Sequence, residues 1–507
     1  MEYTIIMHDK SIPMPKLLKG EKIIYIKNFE EKIPKHVISS LKAIEDLTRA
    51  KNYSEIGEYG PSIAAESLKD HSNEREFSRY NAIFGRDSLR VAIDLIYKYP
   101  KLTQSTLVRL AELQGVEFND RREEEIGKII HEYRDPTQDP VARELTEHRG
   151  WDWPYYGSID STIEFIKTFN LYSKLYGYSL FNHVYTAKDK KRHKMSFAFD
   201  KAVNWMLAKL EASGNNLIEF KSLIPGGIEN QAWKDSWDSY FHDNGLIANH
   251  NFGIASIEVQ ASAYDALIGS IQICSTYFND FKKALLLEQK AKSLKDNILK
   301  LFWTNHKNGY FVLGLDKDQN QKVRQLKIRT SNMGHLLNSE IFANNDQISL
   351  DMVRKIIKQL FSKELLSYSG IRTLASDEIR FRPGSYHNGS VWIWDNYLII
   401  QGLEKHAYFG LAQFLEKIIL NDVAAVKRLP EYLRGDLTKS RLLNNRVIEI
   451  EDTINNKINR IEQPPQDVQA WTAASILAIK FEKKFPETTN DSVKYKFEKE
   501  ILNNIWF

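Results

Sequence analysis

Residues 255–279, ASIEVQASAYDALIGSIQICSTYFN, carry the pattern that decides the fold class of this chain. Leu267, Ile268, Ile271 and Ile273 recur at the three- and four-residue spacing of one helix face, among small alanine residues. Such an apolar stripe is typical of a helix that packs against other elements. The stretch therefore predicts a long helix.

The same spacing recurs along most of the chain, and convincing strands are few. Gly309–Gly314, GYFVLG, is the best strand candidate, while Met1–His8 and Glu21–Ile26 alternate enough to suggest two short strands. These two strands would form a short cap over 1–35, for which a β-hairpin is one form. The predicted helices cover residues 36–51, 87–98, 104–116, 159–177, 196–212, 255–279, 281–303, 347–363, 388–404, 407–422, 467–483 and 491–504. Their number suggests a toroid of helical hairpins over 36–507.

The composition is that of a folded and nearly neutral protein of 507 residues. Hydrophobic residues make up 42% and charged residues 27%, which excludes a mainly disordered chain. The formal net charge of +4 argues against a nucleic-acid or membrane-surface partner. Cys274 is the single cysteine, so an internal disulfide and a cysteine-built zinc site are excluded. The sequence lacks a signal peptide and a long apolar run, and we expect a cytoplasmic location.

Long connections between the predicted helices hold most of the tryptophans, prolines and paired charges. Loops beyond about 12–15 residues in a compact domain are usually functional or disordered. Residues 425–466 have the most charge and asparagine, which favours a mobile excursion there. The connections cover residues 133–158, 214–250, 305–335, 364–387 and 425–466.

Seven of the ten tryptophans lie in short segments where an indole stands close to a carboxylate or an amide. Aromatic faces stack on sugar rings, and carboxylates, amides and arginine bind hydroxyl groups. Buried structural tryptophan is the competing interpretation for any single segment. Together the segments favour a cleft for a neutral, polyhydroxylated ligand. They are RGWDWPYYGSID (149–160), NQAWKDSWDS (230–239), HNGSVWIWD (387–395) and PPQDVQAWTAAS (464–475).

Two acidic side chains far apart in sequence, Asp235 and Glu431, are the candidates for catalysis. Hydrolysis of a glycosidic bond requires two carboxyl groups, one protonated and one ionised. Asp235 stands between the indoles of Trp233 and Trp237 and fits the protonated role, because desolvation raises the pKa of a carboxyl group. Glu431 follows a proline in a polar loop and fits the ionised role. Asp238, three residues after Asp235, is an alternative acid.

Eight segments in order along the chain resemble the amylo-α-1,6-glucosidase module of glycogen debranching enzymes, glycoside hydrolase family 133, and its bacterial relatives. No single segment is decisive, but eight in one order are fairly specific. The resemblance covers about residues 75–475. The segments are Phe84–Ser88, His131–Arg134, Tyr155–Asp160, Asn230–Asp238, Glu258–Ala261, Tyr386–Trp394, Leu429–Gly435 and Gln466–Trp471.

This resemblance implies an all-α (α/α)6 barrel of the six-hairpin glycosidase superfamily. It also implies an inverting hydrolase of α-glucosidic bonds that uses no metal and no organic cofactor. The family's general acid maps onto Asp235 and its general base onto Glu431. Pocket positions of the family map onto Arg86, Asp87, His131, Glu132, Arg134, Tyr386, His387 and Trp392. The remaining candidates for substrate binding are Trp153, Tyr155, Trp233, Lys234, Trp237, Asp238, Gln260, Gln469 and Trp471.

Few residues precede the matched region, so we expect an exo-acting α-glucosidase or a hydrolase of a smaller glycoside rather than a two-step debranching enzyme. Another six-hairpin sugar enzyme is the nearest alternative: a glucosyl- or mannosylglycerate hydrolase, a trehalase or invertase relative, or a sugar epimerase. A non-catalytic carbohydrate-binding toroid and a helical scaffold for protein partners are the alternatives outside enzymes. His335 and His406 are interpreted as ordinary histidines. The oligomeric state is not indicated by the sequence.

Overall fold

The structure, a computed structural model, is mostly helical. It describes residues 4–5, 23–24, 63–65, 82–343, 346–436, 448–452, 457–461, 466, 468–481 and 491–505. The α-helices within these ranges are α1 (Gly85–Asp94), α2 (Pro100–Glu112), α3 (Pro140–Arg149), α4 (Asp160–Tyr176), α5 (Met195–Ala212), α6 (Ile257–Thr276), α7 (Phe281–Asn297), α8 (His335–Asn338), α9 (Gln347–Leu360), α10 (Ile393–Lys405), α11 (Phe409–Val426), α12 (Ala470–Phe481) and α13 (Ser492–Asn503). The helix predicted at 36–51 lies outside the described residues.

Six of the described helices form a closed inner ring. In chain order they are α1, α4, α6, α8, α10 and α12; each packs against the next, and α12 packs back on α1. The helices α2, α5, α7 and α11 each pack outside the inner helix that precedes them, α9 packs on the turns that flank α8, and α13 packs on α11. This arrangement confirms the predicted toroid of helical hairpins, the (α/α)6 barrel.

The sequence explains which helices lie inside the ring. In α10 every residue over 393–400 is buried, as expected of a helix with neighbours on all sides. In α7 only Ala284, Leu287, Ala291 and Leu294 are buried, which is the single apolar stripe of a helix facing solvent. The difference in apolar pattern therefore separates the inner layer from the outer layer.

Chain direction gathers the long connections at one end of the toroid. Each inner helix returns through an outer helix, so the inner helices all begin at the same end. A connection from an outer helix to the next inner helix must reach that end, which we call the loop face. The short connections within hairpins, such as 277–280 and 406–408, lie at the opposite end. The tryptophan-bearing segments thus come together although they are far apart in sequence.

Strands are short and belong to the connections. The predicted strand at 309–314 contains β9 and the start of β10, and β10 pairs antiparallel with β11 and β7. The described strands are β1 (Thr4–Ile5), β2 (Ile23–Ile24), β3 (Ile83–Phe84), β4 (Glu132–Tyr133), β5 (Val184–Thr186), β6 (Arg192–Lys194), β7 (Ala255–Ser256), β8 (Trp303–Thr304), β9 (Tyr310–Phe311), β10 (Gly314–Lys317), β11 (Val323–Leu326), β12 (Leu366–Ser367), β13 (Gly370–Ile371), β14 (Ile448–Asp452) and β15 (Lys457–Ile461).

The N-terminal cap differs from a hairpin. Strands β1 and β2 pair in parallel, whereas the strands of a hairpin pair antiparallel. The rest of 1–35 lies outside the described residues. Within the described part of the chain, no helix has the length and apolar character needed to cross a membrane.

Candidate active site

The start of each inner helix places one side chain in a common cavity at the loop face. This cavity has a volume of about 60 Å³, and Trp233, from the connection between α5 and α6, also lines it. Because the six helix starts come from six separate parts of the chain, the cavity exists only in the closed ring. The six side chains are Arg86 of α1, Asp160 of α4, Glu258 of α6, His335 of α8, Trp394 of α10 and Trp471 of α12.

Arg86 connects two carboxylates at this cavity. Its guanidinium donates to Asp160 through Nε at 2.7 Å and Nη2 at 3.2 Å, and to Asp235 through Nη1 at 3.3 Å. Gly85 allows α1 to begin there, because a Cβ at this position would lie 2.2 Å from the carbonyl oxygen of Ile130. The candidate acid Asp235, which lies in a connection, is therefore held by the guanidinium of Arg86 at the start of α1.

The pKa of Asp235 is raised to about 6, because burial outweighs the neighbouring charge of Arg86. Trp233 is buried beside it, but Trp237 is 42% exposed, so the prediction that two indoles enclose Asp235 is corrected to one. Asp238 also has a raised pKa from burial, and its side chain is held by Ser236 and Asn388. Only Asp235 of the two contacts Arg86 in the described structure.

Glu431, the candidate base, is 3% exposed and not in a polar loop as expected. One carboxylate oxygen accepts a short hydrogen bond from the Tyr386 hydroxyl and a bond of 3.2 Å from the Gln466 amide. The other oxygen accepts from the backbone N–H of Gln466 at 3.3 Å. The Tyr386 hydroxyl, the Gln466 amide and the Gln466 backbone N–H are all donors. Three donors suit an ionised carboxylate, because an ionised carboxylate can only accept.

One group of tryptophans, the pocket cluster, joins the two acidic segments. It consists of Trp233, Trp392, Trp394 and Trp471, with ring centroids 5.0–5.8 Å apart for the contacting pairs. Tyr432, the residue after Glu431, stacks on Trp392 at 5.4 Å. The segments that hold Asp235 and Glu431 therefore both supply a ring to one aromatic cluster, Trp233 and Tyr432.

His387 and Tyr386 complete the link between the acids. His387 packs on Trp392 at 5.2 Å, and its Nδ1 lies 3.0 Å from the hydroxyl of Ser236, next to Asp235. Burial and the charges of Lys234 and Arg86 hold the pKa of His387 well below its usual value, so the ring is neutral. Tyr386, one residue earlier, donates to Glu431.

Asp87 and Gln469 lie together behind Arg86. The Gln469 amide donates to Asp87 at 3.0 Å across the contact of α1 with α12. Burial raises the pKa of Asp87 to about 7. His131 is also buried, and burial with the charges of Arg86 and Lys128 lowers its pKa well below the usual value. These three predicted residues are thus neighbours of the cavity wall.

Two predicted binding residues, Trp153 and Tyr155, lie in a second aromatic group. With Trp151 they form what we call the satellite cluster, in which Trp151 stacks on Tyr155 at 3.9 Å. The indole of Trp153 donates to Thr146, and the Tyr155 hydroxyl donates to a buried Glu123 at 3.1 Å. None of these side chains lines the cavity. Their role in substrate binding stays a prediction.

Four other predicted residues have buried polar groups with protein partners, and their binding roles stay predictions. Gln260 is fully buried, and its amide group bonds both backbone groups of Ile218 at 2.8 Å, so it clamps a connection. Lys234 is fully buried and donates to the carbonyl of Thr373 at 3.0 Å. Glu132 and Arg134 form a buried ion pair with each other, and Arg134 also pairs with Asp139 at 2.9 Å. Their polar atoms face protein partners rather than a substrate.

Most residues that line the cavity were missed by the sequence analysis, and three of them are Asp160, Glu258 and His335. His335, expected to be ordinary, bonds Asp395 at 2.5 Å and packs against Trp233. Burial raises the pKa of Glu258. All three stand in the first turn of an inner helix, a position that the predicted boundaries of α4 and α6 already contained. Polar residues in the first turn of a predicted inner helix were therefore a signal that could have identified Asp160 and Glu258.

A larger groove of about 990 Å³ lies on the outside of the toroid, between α9 and α13. It contains none of the predicted site residues. Its cations are paired with acids, for example Lys358 with Glu500 at 3.2 Å and Lys355 with Asp351 at 2.8 Å. The cavity at the loop face is therefore the better candidate. No group of three or more metal-ligating side chains occurs in the described ranges.

A comparison with known protein families finds a match in the middle of the chain. Residues 192–437, which include Asp235 and Glu431, match a family model described as the mannosylglycerate hydrolase MGH1-like glycoside hydrolase domain. No curated protein matches the chain in sequence.

The fold resembles solved structures from Thermus thermophilus. A GH63 mannosylglycerate hydrolase in complex with Tris and D-glycerate is 11% identical, with a TM-score of 0.56, over 88% of this chain and 99% of that one. The same hydrolase in complex with glucose gives 12% identity and a TM-score of 0.54, over 88% of this chain and 100% of that one. An uncharacterized conserved protein gives 12% identity and a TM-score of 0.53, with the same coverage.

Fold and matched domain point in one direction. Residues 192–437 match a glycoside hydrolase family model, and the helical toroid resembles the fold of solved glycoside hydrolases. The similarity extends to mannosylglycerate hydrolases, whereas the resemblance to the amylo-α-1,6-glucosidase module rests on the sequence segments alone.

Proposed function

We propose that this protein is an inverting glycoside hydrolase that removes a terminal α-linked sugar from a small glycoside, with Asp235 as general acid and Glu431 as general base. The observation that carries the proposal is a carboxyl of raised pKa at Arg86 and a second carboxyl held by three donors, each in a segment that supplies a ring to the same aromatic cluster. No cofactor and no metal enter the proposed reaction.

The chemistry follows from this pair. Asp235 gives its proton to the glycosidic oxygen as the bond to the anomeric carbon breaks. Glu431 removes a proton from a water molecule, whose oxygen bonds to the anomeric carbon from the opposite face. The proton that Asp235 donated leaves with the aglycone, and Glu431 holds the proton from water. A β-sugar is therefore the first product of an α-glycoside.

The lining of the cavity is of a kind that suits a sugar. Residues at the starts of six helices line it, together with Trp233 from a connection at the loop face. The indoles of Trp233, Trp394 and Trp471 line it beside the charged groups of Arg86 and Asp160, a combination suited to a sugar ring and its hydroxyl groups. We therefore propose exo-action on a mannosyl- or glucosylglycerate or a similar small glycoside.

The test is sugar release from a panel by the wild type and three variants. The panel holds α-mannosylglycerate, α-glucosylglycerate, isomaltose, maltose, trehalose, sucrose and branched limit dextrin. Asp235→Asn and Glu431→Gln should each lower kcat about 10²–10⁴-fold, the usual contribution of a general acid or base. Asp238→Asn is the matched control, and it should retain most of the activity. Proton NMR of the first product should show the β-anomer.

Different results would redirect the proposal. Loss of activity in Asp238→Asn but not in Asp235→Asn would transfer the role of the acid to Asp238. An α-anomer as first product would contradict inversion. Release from branched dextrin or isomaltose alone would favour the amylo-α-1,6-glucosidase resemblance. No release from any glycoside by a folded sample would favour a carbohydrate-binding toroid without catalysis.

The pH profile gives a further check. Because Asp235 must be protonated, kcat/KM should fall as pH rises through its pKa of about 6. Activity near pH 5 should therefore exceed activity near pH 8. A profile that is flat from pH 5 to 8 would contradict Asp235 as the acid.

The expected cytoplasmic location stays a prediction.

A further inference from the structure

Arg86 is shared by two carboxylates that differ in how they are held. Asp160 takes two of its N–H groups, at 2.7 and 3.2 Å, while Asp235 takes one, at 3.3 Å. The shorter, two-point contact to Asp160 fixes the plane of the guanidinium, and the third group then points to Asp235. Asp160 thus sets where Arg86 can meet the acid.

Asp160 is itself held firmly. It is 7% exposed, and the hydroxyl of Ser158 donates to its Oδ1 at 2.6 Å. It is the first residue of α4, whereas Arg86 lies in the first turn of α1. The ion pair therefore connects two adjacent inner helices directly beneath the loop face.

Charge balance gives this pair a chemical consequence. A full positive charge close to a buried carboxyl favours its ionised form. Asp160 offsets the charge of Arg86, and its own negative charge also opposes ionisation of Asp235. Both effects have the same sign, since each helps Asp235 to keep a proton.

Other ionisable groups near this site do not replace Asp160. Asp87 of α1 also interacts with Arg86, but one of its carboxylate oxygens accepts from Gln469. His387, in the connection before α10, is neutral. Lys234, in the connection before α6, donates its ammonium group to the carbonyl of Thr373. Glu258 of α6 and His335 of α8 line the same cavity and bond Ser256 and Asp395.

We propose that Asp160 is a positioning residue of the hydrolysis: it anchors Arg86 against Asp235 and offsets the charge of Arg86, so that the acid is oriented yet able to carry its proton. This inference rests on the proposed function, in which Asp235 donates that proton. Asp160 itself does not touch the reacting atoms.

The test compares Asp160→Asn with Asp160→Glu over pH 4–9. Asp160→Asn removes the negative charge, so the alkaline limb of kcat/KM should move down by about one pH unit. Asp160→Glu keeps the charge but displaces the carboxylate. It should keep the limb in place and lower kcat roughly tenfold with little change in KM. A loss of rate that is equal at every pH in Asp160→Asn would overturn the proposal.

Asp316→Asn is the matched control. Asp316 is 1% exposed and also takes two N–H groups of one arginine, Arg324, at 3.1 and 2.6 Å, but it does not line the cavity. This variant should lose stability without moving the limb. A limb that moves equally in both variants would overturn the proposal, because any lost ion pair would then have the same effect.

A second readout does not depend on activity. The stability difference between the wild type and Asp235→Asn, followed by urea unfolding across pH 4–8, reports the titration of Asp235 in the folded state. The same difference in the Asp160→Asn background should titrate at lower pH, and an unchanged midpoint would overturn the inference. If no glycoside is hydrolysed, the proposed function fails while this measurement still decides the inference. If Asp160→Asn does not fold, Asp160→Glu decides it, and an unchanged kcat would count against it.

Discussion

The pocket cluster and the satellite cluster contain similar residues but treat their indole N–H groups differently. In the satellite cluster, Trp151 donates to the carbonyl of Gly226 and Trp153 to the hydroxyl of Thr146, both at 3.0 Å. In the pocket cluster, three indole nitrogens have no acceptor among the described residues; they belong to Trp233, Trp394 and Trp471. Buried polar groups without a protein partner are uncommon and need an explanation.

The comparison shows what tryptophan density can indicate. Both clusters arise from sequence segments in which indoles stand near carboxylates. Of the two clusters, the pocket cluster lies where helix starts converge, and there Arg86 lines the same cavity as the rings of Trp233, Trp394 and Trp471. A satisfied indole indicates packing, whereas an unsatisfied indole beside carboxyls indicates a place for a polar ligand.

Replacement of one tryptophan in each cluster by alanine should give the largest difference in activity between the two clusters. Trp233→Ala and Trp153→Ala should each cost about 3–5 kcal/mol of stability, as large buried aromatics usually do. Trp233→Ala should also lower kcat/KM by about 10²-fold or more, because the cavity loses one of its aromatic lining residues. Steady-state kinetics well below the melting temperature would show this. An equal loss in Trp153→Ala would mean that the satellite cluster belongs to the site.

Acids of the pocket should give stability a distinct pH dependence. The pKa of Asp87 is raised to about 7 from an unfolded value near 3.8, so the folded state binds more protons between these values. Stability from this group is present at low pH and is lost as pH rises through about 7, by as much as about 4 kcal/mol. Urea unfolding at pH 4.5 and 7.5 should show a smaller decline in Asp87→Asn than in the wild type.

An acid outside the pocket supplies the contrast. The pKa of Asp316 is lowered to about 2 by its hydrogen bonds to His242, Arg324 and Asn249, which outweigh its burial. Its contribution is present above about pH 4 and is lost only as pH falls towards 2. Asp316→Asn should therefore retain most of the decline in stability that the wild type shows between pH 4.5 and 7.5, because Asp87 is still present. An equal pH dependence in both variants would contradict the assignment for Asp87.

Removal of one tyrosine hydroxyl from each region should give the smallest effects of these comparisons. Tyr386→Phe deletes a donor to Glu431, which should raise the pKa of that carboxyl and move the acidic limb of kcat/KM to higher pH. We expect about a tenfold loss at pH 5. Tyr155→Phe deletes a donor to Glu123 and should cost about 1–3 kcal/mol of stability with kcat/KM unchanged. A pH profile of Tyr386→Phe that matches the wild type would separate Tyr386 from the chemistry.

Most helices could be predicted, and the two that were missed have physical reasons. Helix α3 has an Asp139 cap, Pro140 at its start and Gly150 after its end, but only Val141 and Ala142 are buried. Without an apolar stripe, periodicity gives no signal. Helix α8 spans one turn, which is too short to show a period. Helix α3 lies within the predicted connection 133–158, whereas α8 begins at the last residue of the predicted connection 305–335.

The candidate site was predictable in its residue types and less so in its membership. Asp235, Glu431, Arg86 and Trp471 stand in segments that the sequence indicated, and they line or flank one pocket. Gln260 and Tyr155 stand in such segments too, but their polar atoms are consumed by protein partners. Sequence proximity to a motif does not reveal which side chain faces a cavity.

The sequence by itself determined the helices, the layer to which each belongs and the carboxyl groups available for chemistry, because apolar spacing and side-chain type are local properties. Only the tertiary structure decided which of these groups meet. Arg86 and Asp235 are 149 positions apart, and the closing of the ring brings them to 3.3 Å. That contact, with Asp160 on the other side of Arg86, distinguishes Asp235 from Asp238. Burial and neighbouring charge depend on position in space, so no local pattern carries that distinction.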